Sequence, residues 1–116
     1  MQFIRTIIMS LALLPLATFA TTYYANGSTG SDSNSGTASG SPKKTIQAAI
    51  NAAQNGDTVS VAEGTYKENL NLAKRISLIA ASPLKVTING NQSGHCIKIT
   101  TGAAGCVVDG FVLYKG

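Results

Sequence analysis

Three rhythms of apolar and polar residues follow one another along the chain. The first is an apolar run over residues 7–17, interrupted by Ser10 and Pro15, with Arg5 ahead of it and small residues before Thr21. A basic start, a short apolar stretch and a small-residue cleavage site make a secretory signal over residues 1–20, cut after Ala20. A spanning helix needs about 20 apolar residues, and this run is shorter and broken by proline. The second rhythm is helical: Ile46, Ala49, Ile50 and Ala53 fall at i, i+3, i+4 and i+7. It predicts a helix over residues 45–55, with Pro42 just ahead and Gly56 as its C′ stop. The stripe is narrow and made of small residues, which suits close packing on the end of something flat.

After Gly56 the period becomes two. Val59 and Val61, Leu70 and Leu72, Ile76 and Leu78, Val86 and Ile88, Ile97 and Ile99, and Phe111 and Leu113 each flank a single residue. Each pair predicts a half-buried strand of three to five residues, bounded by Gly, Asn, Ser or Pro. Ahead of the helix, Tyr23 and Tyr24 open a short strand, and a long polar loop rich in Ser, Gly and Thr follows up to Ser41. The nearest hairpin signal, Asn89-Gly90, is followed by six residues before Ile97 and so does not form a two-residue loop.

The strands also look alike at an interval. Val86-Thr87-Ile88-Asn89-Gly90 returns as Cys106-Val107-Val108-Asp109-Gly110, and Ile76-Ser77-Leu78 returns as Ile97-Lys98-Ile99. Both predict one coil per roughly 20 residues, the sequence mark of a solenoid. In such a stack, inward residues form apolar columns, and strands about 4.8 Å apart hydrogen-bond along the axis. An end coil leaves a column and a row of backbone groups uncovered, and the helix over residues 45–55 is placed to close the N-terminal end. No polar cap follows Phe111 and Leu113. The mature chain, with two to three coils, is therefore expected to be marginal or to self-associate through its open C-terminal coil.

Length and charge narrow the picture. A chain of 116 residues makes one small domain. Its net charge of +4 becomes about +3 without the signal, spread over Lys43, Lys44, Lys67, Lys74, Arg75, Lys85, Lys98 and Lys115. With no dense basic run and no interleaved aromatics, no nucleic-acid partner is expected. The expected product is a secreted protein, free of the membrane once the signal is gone. Cys96 and Cys106 would then meet an oxidising compartment, where a disulfide and two separate thiols are both open. One histidine and no CxxC pair make no metal pattern.

Candidate chemistry is sparse. Asp32, Asn34 and Gly36 form D-x-N-x-G, the start of a calcium loop, but Lys43 stands where the bidentate glutamate is required. A turn-rich solvated loop is the expectation there. Asp57, Glu63, Glu68 and Asp109 complete the carboxylates, dispersed over loops and turns, with Asp57 serving the turn after Gly56 and Asp109 matching Asn89. His95 lacks a spaced acid or nucleophile and reads as an exposed turn residue. Lys67 and Glu68 are neighbours pointing to opposite faces and read as two solvated charges. Asn26-Gly27-Ser28 and Asn91-Gln92-Ser93 fit the glycosylation acceptor pattern.

The stretch from Ser41 to Leu70 has a cap-helix pattern, then Gly56-Asp57-Thr58-Val59, then Gly64-Thr65-Tyr66 and Glu68-Asn69. It resembles the opening of right-handed parallel β-helix proteins of the pectin-lyase-like superfamily. Upstream, Tyr23-Tyr24 and the run from Gly30 to Thr37 resemble the opening segment of the bacterial pectate-lyase-like members. Downstream, Val86 to Gly90 and Val107 to Leu113 resemble their coils. The resemblance implies an all-β solenoid over residues 21–116, a right-handed parallel β-helix with an N-terminal capping helix. It also implies an exported module associated with pectin-like or other acidic polysaccharide, the first portion of a longer pectate-lyase-like protein. The catalytic and calcium-binding groups of the lyases, and the paired aspartates and arginine of the similar methylesterases, lie on later coils. No residue of this chain is thus assigned a catalytic, cofactor-binding or metal role, and calcium enters only with a longer lyase-like form. Two alternatives stand beside this reading: a structural or adhesive surface solenoid, and the first part of a pectin methylesterase-like enzyme.

Overall fold

The computed structural model describes residues 19–92 and 94–115. The signal assigned to residues 1–20 lies almost wholly outside them, as does Ser93 of the second acceptor pattern. The described chain is mostly β, with nine strands and one α-helix in the order β1 (Thr22–Ala25), α1 (Ile46–Ala52), β2 (Thr58–Val61), β3 (Gly64–Lys67), β4 (Leu70–Leu72), β5 (Ser77–Ala80), β6 (Val86–Asn89), β7 (Ile97–Ile99), β8 (Val107–Asp109) and β9 (Phe111–Tyr114). Every pairing between these strands is parallel. Three sheets result, ordered β1-β2-β5-β8, β3-β6-β9 and β4-β7, so that from β2 onward the chain visits the three sheets in turn.

Alternation places one set of side chains inward on each strand. In the four-stranded sheet Tyr23, Val59, Leu78 and Val108 stand in register. In the second sheet the column is Tyr66, Ile88 and Leu113, and in the third Leu70 lies under Ile97 and Leu72 under Ile99. Val59, Leu70, Leu72, Leu78, Val86 and Ile88 have no exposed surface, and with Ile46, Ala49, Ile50 and Ala53 they belong to one core. Three columns end open, with Ile99 55 % exposed, Val108 36 % and Leu113 54 %, whereas Ile97 over Leu70 is half-buried.

The other end is covered. Helix α1 packs on β1, β2 and β4, burying the predicted stripe. The polar loop over residues 26–43 folds back along β1, where Asn26 N–H donates to Lys43 O at 2.9 Å and Lys43 N–H to Tyr24 O at 2.8 Å. Gly30 lets this loop close, because a Cβ there would collide with the carbonyl oxygens of Lys43 and Asn26.

Several sequence expectations need correction. The helix ends at Ala52, and Ala53 is already extended with ψ 156°, so Gly56 is not its C′ residue. Gly56, at φ 92°, serves instead the tight turn into β2. Strand β3 was not expected, because Gly64-Thr65-Tyr66-Lys67 has one apolar inward side chain, Tyr66, and its other inward position is a glycine. The apparent repeats pair the wrong strands. Val86 lies beside Phe111, not Cys106, and Ile97 lies beside Leu70, not Ile76. Spacing is also uneven: Thr58 pairs with Ser77, 19 residues on, whereas Ser77 pairs with Val107, 30 residues on. β-Branched alternation bounded by Asn or Asp and Gly marks the end of a strand without saying which sheet the strand belongs to. Gly110 takes φ 88° and leads from the first sheet to the second, whereas Gly90 follows the second sheet and has no positive φ.

Candidate functional site

Charged and amide side chains from three segments converge on α1, a helix too short to be stable alone. Its first N–H groups have no partners inside the helix. Thr45, the N-cap residue, accepts from Ala48 N–H at 3.2 Å. Ile46 and Gln47 donate their N–H groups to the two carboxylate oxygens of Glu68, at 2.9 and 3.0 Å. Lys74 reaches the other end, where its ammonium donates to the carbonyls of Ile50, Asn51 and Ala53 at 3.1, 2.9 and 2.6 Å. An anion at the positive end of the helix dipole and a cation at the negative end are both favourable, and both flank β4.

Gln47 completes the joint by imitating a strand. Its side-chain oxygen accepts from Asn71 N–H at 2.9 Å, and its amide nitrogen donates to Asn71 O at 3.2 Å and to Asn51 Oδ1 at 3.0 Å. The free edge of β4 is thereby paired by a side chain, which blunts an edge that would otherwise template another strand.

Asp32 and Asp57 are also structural. Asp32 Oδ1 accepts from the N–H groups of Lys44 and Thr45, both at 2.9 Å, and the Thr45 hydroxyl donates to its two oxygens at 3.2 and 3.0 Å. These bonds occupy the carboxylate that began the calcium-like pattern, and Lys43 Nζ donates to the Asp32 carbonyl at 2.9 Å. Burial pushes the Asp32 carboxyl upward, but the bonds from Thr45 and Lys44 and the Lys43 charge together hold it below its ordinary value of 3.8. A depressed folded-state value means stability that is present above about pH 3.8 and lost as pH falls through that lower value. The unfolding midpoint of Asp32→Asn is therefore expected to fall less steeply than that of the parent below about pH 3.8, as read by urea titrations across that range; parallel curves would contradict this. Asp57, 8 % exposed, accepts from Thr21 N–H at 2.9 Å and Gln54 N–H at 2.8 Å, so it closes the turn expected of it and also ties down the start of β1.

Glu68 corrects the sequence reading of two solvated charges: Lys67 is exposed, but Glu68 is partly buried against α1. Glu63 and Asp109 are exposed. His95 is exposed as expected, and its carbonyl accepts from Asn69 Nδ2 at 2.5 Å. Tyr66 is buried, donates from its phenol to Ala62 O at 2.9 Å and accepts from Gly27 N–H at 3.2 Å. Burial raises its pKa, Gly27 opposes and the Glu68 charge adds to the rise. Cys96 and Cys106 are free thiols. Among the described residues, no three His, Cys, Asp or Glu gather as a metal would need, and no helix is long and apolar enough to cross a membrane.

Outside, the strands present ranks of side chains at the sheet spacing. Thr65, Thr87 and Val112 stand in one row of the second sheet, and Lys67, Asn89 and Tyr114 in the next. On the third sheet Asn71 lies beside Lys98. Lys67, Asn71, Lys98 and Tyr114 are exposed.

No curated protein and no solved structure matches the chain. The model of the family described as "Protein of unknown function (DUF1565)" matches residues 28–108, from the polar loop through most of β8. That span is more than half of the chain, and the protein belongs to this DUF1565 family.

Proposed function

We propose that this chain is an exported module that lies along an acidic polysaccharide. Its architecture is read as the first coils of a right-handed parallel β-helix of the pectin-lyase-like kind, beginning a longer protein. In-register parallel pairing through three sheets visited in turn supports the solenoid, and the closure of one end by α1 supports the assignment of that end as the start. The uncovered apolar ends of the columns support either further coils or self-association.

One observation carries the polysaccharide reading: exposed Lys67 and Tyr114 flank half-buried Asn89 in one rank, with exposed Asn71 and Lys98 on the next sheet. Ammonium groups pair with sugar carboxylates, amides with sugar hydroxyls, and an aromatic ring covers the apolar face of a sugar. Strands about 4.8 Å apart repeat these groups along a line, as an extended polymer requires.

Labelled polygalacturonate is expected to bind at low salt and to release as salt rises. Reversing two exposed charges, Lys67→Glu with Lys98→Glu, is expected to weaken binding about tenfold, since each exposed ion pair contributes up to about 1 kcal/mol. Absence of binding at low salt would favour the spacer or adhesive reading.

A further inference from the structure

The bond between Thr21 and Asp57 falls at the expected cleavage point. Thr21 N–H donates to Asp57 Oδ1 at 2.9 Å, while Thr21 O accepts from Thr58 N–H at 3.0 Å. The nitrogen and the carbonyl of Thr21 are thus both held, one by the α1–β2 turn and the other by the first residue of β2. Asp57 is the buried charged side chain of the core region, 8 % exposed, with its second oxygen held by Gln54 N–H at 2.8 Å. Beside it lies a cleft of about 500 Å³ lined by Phe19, Ala20, Gln54, Asn55, Asp57 and Arg75, together with Gly56. The two residues ahead of Thr21, Phe19 and Ala20, are exposed and line this cleft.

We propose that removal of the signal creates an ion pair that locks the start of β1: the new α-ammonium of Thr21 binds the carboxylate of Asp57. Water adds across the Ala20–Thr21 peptide bond, the C–N bond breaks, Ala20 keeps the carboxylate, and the Thr21 amine takes up a proton. What was a single amide N–H facing Asp57 becomes a cation at the same place. The unprocessed chain has the hydrogen bond without the charge, so maturation itself stabilises the strand that opens the four-stranded sheet. This inference rests on the export reading.

The charged residues facing the new terminus are Asp57, from the α1–β2 turn, and Arg75, from the β4–β5 turn. Asp57 is in direct contact and dominates, which holds the α-amine above its ordinary range of about 7.7–8.0. A raised folded-state value gives stabilisation that is complete below that range and is lost as pH rises through the folded value. Arg75 opposes the pair, so Arg75→Gln should strengthen it.

The test expresses the chain with its own residues 1–20, and compares it with a version carrying one glycine inserted after Ala20. The inserted residue moves the ammonium away and restores an amide N–H at Thr21. Mass spectrometry should find the parent beginning at Thr21. At pH 6 the insertion should lower Tm by about 4 °C or more, and by much less at pH 10 or in the Asp57→Asn background. Reductive methylation with ¹³C-formaldehyde gives a second readout, in which the Thr21 amine of the folded parent titrates above that of the same protein in urea. Retention of residues 1–20, or cleavage elsewhere, would overturn the proposal together with the cut after Ala20. A Thr21 start with the same titration folded and unfolded would overturn the ion pair alone. Loss of polygalacturonate binding bears on neither.

Discussion

Leu78→Ala is expected to destabilise the protein by about 2–5 kcal/mol, read as a lower urea midpoint with little change in slope. Leu78 has no exposed surface and occupies the third place in the column Tyr23, Val59, Leu78 and Val108. Rungs on both sides fix its neighbours, so the removed carbons leave a cavity that the backbone ladder cannot collapse. The same truncation at Leu113, which ends its own column and is 54 % exposed, removes surface already in water and should cost less than about 1 kcal/mol. Equal costs at the two positions would mean that the columns do not carry the stability assigned to them.

Glu68→Ala is expected to cost about 2–3 kcal/mol and to expose α1 to hydrogen exchange. The carboxylate satisfies the N–H groups of Ile46 and Gln47 at a partly buried helix start. A hydrogen bond to a charged group contributes about 1.5–3 kcal/mol. Loss of the anion from the helix N-terminus adds about 0.3–1 kcal/mol, and the surrounding water recovers part of the total. Glu68→Gln keeps one acceptor oxygen and should lose roughly half as much. Exchange of the Ile46, Gln47 and Ala48 amides locates the effect: faster exchange confined to α1 is expected, and unchanged protection would remove Glu68 from its capping role. Ile46, the first residue of α1, is fully buried and transmits the loosening to the core end.

Much of this architecture was legible in the residues. The period of two from Val59 to Ile88 announced short strands with one buried face, and the stripe Ile46, Ala49, Ile50 and Ala53 announced the covering helix; the same period at Ile97 and Ile99 and at Phe111 and Leu113 announced strands whose inward faces stay largely open. Both are local properties: the side chains that alternate or recur are neighbours in the chain, and burial of one face requires only that pattern. The polar loop before Pro42 was legible for the same reason, since its Ser, Gly and Asn residues supply turns from within.

The capping system was not legible. Glu68 reaches Ile46 from 22 residues away, Lys74 reaches Ile50 from 24, and Gln47 pairs with Asn71 across 24. Nothing local distinguishes a glutamate that will cap a helix from one that will be solvated, so Lys67 and Glu68 looked alike. Strand β3 was silent because Gly64 has no side chain to display the period. The strand partners were misread because a hydrophobic alternation states which face is inward without stating which strand lies beside it.

By itself, then, the sequence determined the kinds of element and, β3 and the last coil apart, their order and buried faces, since these follow from side-chain polarity at fixed local spacing. Only the tertiary structure decided register, the unequal 19- and 30-residue steps between paired strands, and the employment of Glu68, Lys74, Gln47 and Asp57 as fastenings. Those depend on which distant backbone groups are left without partners once the strands have stacked, a condition that arises only when the chain has folded.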